Sequence, residues 1–218
     1  ADARDALNPR VRWRYDPSQV GVSGVMGDCG IHALHLACFV CGEEVVEVSA
    51  DCVSTISSRR LEDDAMVNFR MTGGITGRLW ASAIAIGRQH GLTLQVFGET
   101  GGLSWCQEHP NQLYFMSLNG NVQIIERGDG SLSSIANAAS RVTIGHSEGM
   151  PLAFANLYVD IASDLKNRIL GNTTQEAFLY PDAEDGLRSV AAVHAVMDSS
   201  RAAGKWMPAV PLSLKPMS

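Results

Sequence analysis

Between residues 44 and 127 the chain is a series of short apolar-rich runs, most of them joined by connections of only a few residues. That spacing constrains the fold more than anything else in the sequence. Parallel neighbours need crossover connections of about a dozen residues or more, usually a helix, so closely spaced runs pair antiparallel. Residues 45–54, 65–70, 76–87, 92–97, 113–118 and 122–127 read as strands, punctuated by glycine and asparagine. Thr72-Gly73-Gly74 and Asn119-Gly120-Asn121 read as hairpin turns. Helical patterns flank the strands. Residues 27–42 form an apolar run that closes at Gly42, a C-terminal stop. Met150, Phe154, Leu157, Ile161 and Leu165 repeat at helical spacing over 149–170, and Leu187, Val190, Ala191, His194 and Met197 do so over 182–204. Helices outside a run of strands predict an α+β domain, with an open, mostly antiparallel sheet and helices packed on one face.

The strand at 76–87 adds a hint about the other face. Leu79, Ala81, Ala83 and Ala85 alternate with Arg78, Trp80, Ser82, Ile84 and Ile86, so neither side is clearly polar. Such a strand is either covered on both faces, one by helices and one by another subunit or domain, or it is a central strand within one domain.

Composition excludes several classes. Of 218 residues, 17 are Lys or Arg and 23 are Asp or Glu, a net charge of −6 without a basic run. A nucleic-acid-binding footprint is therefore not expected. With 45% hydrophobic residues the chain can bury a core, and residues 1–218 read as one domain. No apolar stretch reaches the roughly 18 residues of a membrane span. Five cysteines, an odd number, and no evident secretion signal predict reduced thiols and a cytoplasmic location. The first residue is Ala, which suggests a processed product or a fragment.

The chemistry concentrates in Gly24-Val-Met-Gly27-Asp28-Cys29-Gly30-Ile31-His32-Ala33-Leu34-His35. On a helix, Asp28, His32 and His35 share one face. A carboxylate beside an imidazole on a rigid element is an acid–base pair, because histidine titrates near neutrality. Spacing alone, however, favours Asp28 as the N-cap of that helix. His32, His35, Cys38 and Cys41 form only a weak match to a zinc site, so no metal is expected. The glycines at 21, 24 and 27 do not make the dinucleotide fingerprint. Two other loops carry candidates: Gly145-His146-Ser147-Glu148-Gly149, where Ser147 or Glu148 could cap the next helix, and Trp13-Arg14-Tyr15-Asp16-Pro17.

Together these segments resemble the C-terminal domain of the Gfo/Idh/MocA oxidoreductases. The likeness runs through Trp13-Arg14-x-Asp16-Pro17 and Gly27-Asp28-x-Gly30-x-His32-Ala33. It continues through Arg60-Leu-x-Asp63-Asp64, Trp105-x-Gln107-Glu108-x-Pro110-Asn111 and Gly145-His146-x-Glu148-Gly149, and covers roughly residues 12–208. The resemblance implies hydride transfer between NAD or NADP and a hydroxyl-bearing carbon of a sugar or polyol. It implies His32 as the acid/base, with Asp28 orienting it. It places Trp13 and Arg14 near the cofactor, and Arg14, Asp16 and His146 near the substrate. It implies a homo-oligomer, a dimer or tetramer built through the free sheet face. The family's N-terminal Rossmann domain and its Glu-Lys-Pro motif are not found in these residues, so the chain alone is expected to be inactive. The alternative is a stand-alone, non-catalytic sugar-binding or assembly module.

Overall fold

The computed structural model describes residues 8–172 and 178–210. They fall into two compact units, one formed by the described residues of 8–88 and 183–210, the other by those of 89–182.

The first unit holds a four-stranded antiparallel sheet in the order β3-β2-β1-β8, with β1 at Val45–Val53, β2 at Asp64–Met71, β3 at Thr76–Ser82 and β8 at Met207–Pro208. Val48, Ala50, Ala65, Val67, Phe69, Leu79 and Ala81 lie on one face and are buried. That face is covered by a π turn at Met26–Gly30 and by α5 (Ala183–Arg201), with α2 (Ile31–Cys41) packed against both of these. The other face carries the cross-strand rows Asp51–Met66–Trp80 and Ser49–Asn68–Arg78, with Met66 and Trp80 exposed. Alternation is therefore clean across β2 and β3: apolar residues point inward, mixed residues outward. β3 stops at Ser82, short of the expected Gly87, because its partner β2 begins at Asp64, opposite Ser82. The chain then turns, with the Ala83 amide donating to the Asp63 carbonyl at 2.8 Å.

The helix expected over 182–204 forms over Ala183–Arg201, with Met197 of the expected stripe buried but the rest of the inner face different. Ala192, Val193, Val196 and Ser199 are buried, whereas Leu187 and Val190 are exposed and His194 points outward. The inner face that packs on β1 mixes Ala and Ser with Val193, Val196 and Met197. Two of its serines complete the sheet edge beyond β8: Ser199 Oγ accepts from the Ala50 amide at 2.9 Å and Ser200 Oγ from the Cys52 amide at 3.0 Å. A strand edge left without a neighbour is satisfied here by helix side chains.

The second unit contains the antiparallel sheet β4-β5-β6-β7, with strands Thr93–Phe97, Gly101–Cys106, Gln112–Ser117 and Val122–Glu126. β5 was not anticipated, since Gly101 and Gly102 open it and glycine weakens a strand. It forms because both its edges are paired and because Leu103 and Trp105 alternate with Ser104. A Cβ on Gly101 would lie 2.6 Å from the Met116 carbonyl, so the close approach of β6 requires glycine there. α3 (Ser134–Ala139) and α4 (Met150–Leu170) complete the unit. α4 has the predicted amphipathic spacing, yet Met150, Phe154 and Leu165 are exposed. Among the described residues no helix is long and apolar enough to cross a membrane.

Candidate active site

The helix that carries Asp28 and His32 starts with a π turn, Met26–Gly30, and runs on as α2. Single π turns are uncommon and often mark functional positions. Asp28 and His32 both stay exposed, on the same side of this element, while Met26, Gly30, Leu34 and Ala37 bury the opposite side. Gly30 permits that packing, since a Cβ there would meet Met26 Sδ at 2.4 Å and Ala81 Cβ at 3.4 Å.

Asp28 is not the N-cap. The helix begins upstream, at Val25, and the Asp28 side chain makes no capping hydrogen bond. The cap comes from elsewhere in the chain. Glu62 Oε1 accepts from Ser23 Oγ at 2.7 Å, from the Gly24 amide at 2.8 Å and from the Met26 amide at 3.1 Å. The Glu62 carbonyl accepts from the Val25 amide at 3.2 Å, and Ser23 Oγ accepts from the Gly27 amide at 2.9 Å. A carboxylate at a helix start also complements the helix dipole, worth about 0.3–1 kcal/mol at the surface and up to ~2 kcal/mol when partly buried. Local spacing could not reveal this cap, because the partners are 36 to 39 residues apart in sequence.

Gly24 lies where this contact is tightest. A Cβ there would sit 2.4 Å from the Glu62 carbonyl oxygen. Backbone cannot yield as a side-chain tip can, so Gly24→Ala is expected to cost about 1–3 kcal/mol of stability by overpacking. Denaturant unfolding checks this; an unchanged midpoint would contradict it.

With capping assigned to Glu62, Asp28 is available for another partner. Its Oδ2 faces Arg14 Nε at 3.7 Å, with both side chains about half exposed. An ion pair this exposed contributes roughly 0–1 kcal/mol, so its effect is on geometry rather than stability. Arg14 belongs to a 3₁₀ turn, Arg12–Tyr15, and its guanidinium carbon lies 5.2 Å from the centre of the Trp13 ring. Trp13 is 42% exposed. Asp16 ends that turn and caps α1 (Pro17–Val20): Oδ1 accepts from the Ser18 amide at 3.0 Å and Ser18 Oγ at 2.8 Å, and Oδ2 from Gln19 Nε2 at 2.8 Å. The hydrogen bonds from Gln19 and Ser18 hold its carboxyl below the usual carboxylate range.

A buried pair supports the turn from below. Asp63 accepts from the Thr55 amide and hydroxyl, both at 2.9 Å, from the Ile56 amide at 3.2 Å and from Arg59 Nη1 at 3.2 Å. The Arg59 and Asp63 side chains are 5% and 2% exposed. The Arg59 guanidinium stacks 4.9 Å from the centre of the Tyr15 ring. The structure thus brings Trp13, Arg14, Asp28 and His32 into one unit, with His35 half-buried one turn beyond His32.

The thiols do not extend this chemistry. Burial pushes the Cys29 and Cys38 thiols up, and burial with the nearby Glu62 carboxylate pushes Cys52 up to about 11. None is activated as a nucleophile. Among the described residues no three His, Cys, Asp or Glu side chains converge as metal ligands.

His146 lies in the second unit and is exposed. Neither Ser147 nor Glu148 caps α4, whose N-cap is Gly149 without a side-chain hydrogen bond. Glu148 turns back instead. Its Oε1 accepts from Arg127 Nη1 at 3.0 Å and from the amides of Arg141 and Val142, the latter at 2.6 Å. Arg127 donates further to the carbonyls of Val142 at 2.9 Å and His146 at 2.7 Å. An Arg–Glu pair with these side chains only 17% and 9% exposed shapes the loop that presents His146, where the Thr143 hydroxyl lies 3.0 Å from Nδ1. Arg127→Ala should loosen residues 141–148, seen as faster amide exchange at 141 and 142; unchanged protection there would contradict this.

Residues 1–104, which include the turn at 12–15, the Asp28–His32 helix and the Glu62 cap, match the GFO/IDH/MocA C-terminal domain. The chain is thus similar to that domain over 104 of its 218 residues. It is 29% identical over 214 residues to the uncharacterized oxidoreductase YfiI of Bacillus subtilis (strain 168), covering 94% of this chain and 53% of that protein. It is also similar to two structures of an inositol dehydrogenase homolog from Azotobacter vinelandii. One, complexed with NAD+, has 32% identity and a TM-score of 0.86 over 95% of this chain and 54% of that one. The other, complexed with NADH and myo-inositol, has 33% identity and a TM-score of 0.82 over 94% of this chain and 54% of that one. The chain therefore spans about half the length of the relatives it matches.

Proposed function

We propose that this chain is the substrate-side and oligomerisation half of an NAD(P)-dependent oxidoreductase that acts on a sugar or polyol hydroxyl, with His32 as acid/base. The observation that carries the reading is the state of Asp28 and His32. Both are exposed on one side of a rigid helix, and capping, the one structural task that spacing gave Asp28, is performed by Glu62. The NAD and myo-inositol complexes of the Azotobacter relative support the cofactor and substrate class.

Trp13 fits a nicotinamide ring, since its indole offers an exposed flat face. The pyrophosphate is a different matter. Among the described residues both sheets are antiparallel, and no glycine-rich turn opens a parallel βαβ unit. The main dinucleotide site belongs in this reading to a partner Rossmann domain. When bound, the nicotinamide supplies the position that takes a hydride and its electron pair from the carbinol carbon. The proton of the same hydroxyl passes to a ring nitrogen of His32, and the carbonyl forms as the O–H and C–H bonds break. In reduction His32 returns that proton. Asp28 holds the imidazole or a neighbouring hydroxyl, and Arg14 fixes Asp28 through their ion pair. Asp16 contributes by setting the end of the 3₁₀ turn. His146, within its own unit, is read as a further polyol contact.

The exposed row Met66–Trp80 and Trp206, against which Arg70 stacks at 4.0 Å, supply the oligomerisation face of a homodimer or tetramer. The odd cysteine count suits a reducing compartment, the cytoplasm. The test is turnover of a polyol panel with NAD+ and NADP+ by the protein joined to its dinucleotide-binding half. Polyol-dependent NAD+ reduction that disappears in His32→Ala supports the reading. Polyol binding with no turnover in any form would favour a non-catalytic binding module instead.

A further inference from the structure

We infer that Glu62 is a positioning residue for the Asp28–His32 pair, an N-cap supplied to the active-site helix from the connection between β1 and β2. This rests on the function proposed above. Glu62 is 7% exposed, and its two oxygens differ sharply. Oε1 takes three donors, from Ser23, Gly24 and Met26, whereas Oε2 is buried with no hydrogen-bond partner among the described residues. Burying a carboxylate oxygen unsatisfied is costly, and a side chain placed merely to pack would be apolar. What the carboxylate achieves is concentrated at one point, the first turn of the helix that presents Asp28 and His32.

The same connection grips the facing turn. Asp63 holds Arg59, and Arg59 stacks on Tyr15, next to Arg14. Residues 59–63 therefore anchor both sides of the Arg14–Asp28 contact. A displacement of about 1 Å in a reacting group can cost on the order of 10²-fold in rate. A cap of this kind thus acts on the chemistry without touching substrate. Because Oε1 is an acceptor and Oε2 takes no donor, glutamine should serve almost as well as glutamate, while alanine should not.

The experiment uses the intact protein with its dinucleotide-binding half, in Glu62→Ala, Glu62→Gln and His32→Ala forms. It has three readouts: amide exchange over residues 23–30, the rate of His32 carbethoxylation by diethyl pyrocarbonate relative to the exposed His90, and kcat with NAD+ and myo-inositol. In Glu62→Ala, exchange at 23–30 is expected to rise at least about tenfold. The His32 rate is expected to change at least about threefold while that of His90 does not, and kcat to fall about 10–100-fold with KM for NAD+ held within about twofold. Glu62→Gln should restore all three to within about threefold of the parent. Unchanged exchange in Glu62→Ala, or equal damage from Gln and Ala, overturns the inference. So does an equal change at His90, which would mark a general loss of structure. If Glu62→Ala does not fold, Ser23→Ala breaks the same cap at Gly27. It should raise exchange there and lower kcat several-fold, and no change in either would overturn the inference. Full turnover in His32→Ala would instead remove the active-site reading, and the exchange comparison would still decide the cap.

Discussion

In the protein joined to its dinucleotide-binding half, the proposed function predicts that His32→Ala abolishes polyol oxidation almost entirely while leaving the fold unchanged. General acid–base groups contribute about 10²–10⁴-fold, and a loss in that range is expected in kcat. Stability should move by less than about 0.5 kcal/mol, because His32 is exposed and the helix is held by Met26, Leu34 and Ala37 on the other side. KM for the polyol should change far less than kcat, since an interaction lost only in the transition state lowers kcat and kcat/KM together. Asp28→Asn should give a smaller loss, of about 10–100-fold, because the proposed mechanism has it act on the imidazole and not on the reacting proton. Steady-state kinetics beside circular dichroism check these outcomes. Normal turnover in His32→Ala with an intact fold would refute the assignment.

Asp63→Ala should be the most destabilising single substitution near the site. It removes a carboxylate that is 2% exposed, the acceptor for the Thr55 and Ile56 amides and the counter-charge of a buried Arg59. Breaking a buried ion pair by deleting one partner typically costs about 3–5 kcal/mol. At about 2–4 °C per kcal/mol for a domain of this size, Tm should fall by roughly 6–20 °C. The turn that carries Arg14 should loosen as well, because Arg59 stacks on Tyr15. The pH dependence has a definite sign. Burial pushes the Asp63 carboxyl up, but hydrogen bonds from Thr55 and Ile56 and the charge of Arg59 outweigh it and hold it below the usual value. A carboxyl with a depressed folded-state pKa stabilises above its unfolded value of about 3.9. That contribution is lost as pH falls through the folded value. Acidification below about pH 4 should therefore destabilise the parent more steeply than Asp63→Asn. Parallel acid profiles, or a Tm drop under about 3 °C in Asp63→Ala, would contradict this account.

Much of the fold was legible along the chain. Short connections between β-rich runs require antiparallel pairing, and β1, β2, β3, β4, β6 and β7 lie close to where alternation puts them. Gly42 ends α2 with φ of 66°, as a C-terminal glycine should. The segments that carry the candidate site were legible too. Asp28 and His32 share a side because helical spacing is local, and the residues around them carry the family likeness that the comparison of residues 1–104 bears out. β5 was missed because its stability comes from neighbours on both edges, not from its own glycine-rich sequence. The inner face of α5 was only partly as expected: Met197 is buried, but Leu187 and Val190 are exposed, and Ala192, Val193, Val196 and Ser199 take the positions against β1.

Sequence by itself thus determined what periodicity and short-range sterics control: most helices and strands, the hairpin connections, and the shared helix side of Asp28 and His32. Tertiary structure alone decided which side chain does which task. Spacing makes Asp28 a cap, but Glu62, dozens of residues away, reaches the helix start first and frees Asp28 to face Arg14. Spacing makes Glu148 a cap, but Arg127 draws it back. In each case a polar group settles with the partner that satisfies it best once folding brings distant segments together, and sequence distance carries no record of that competition.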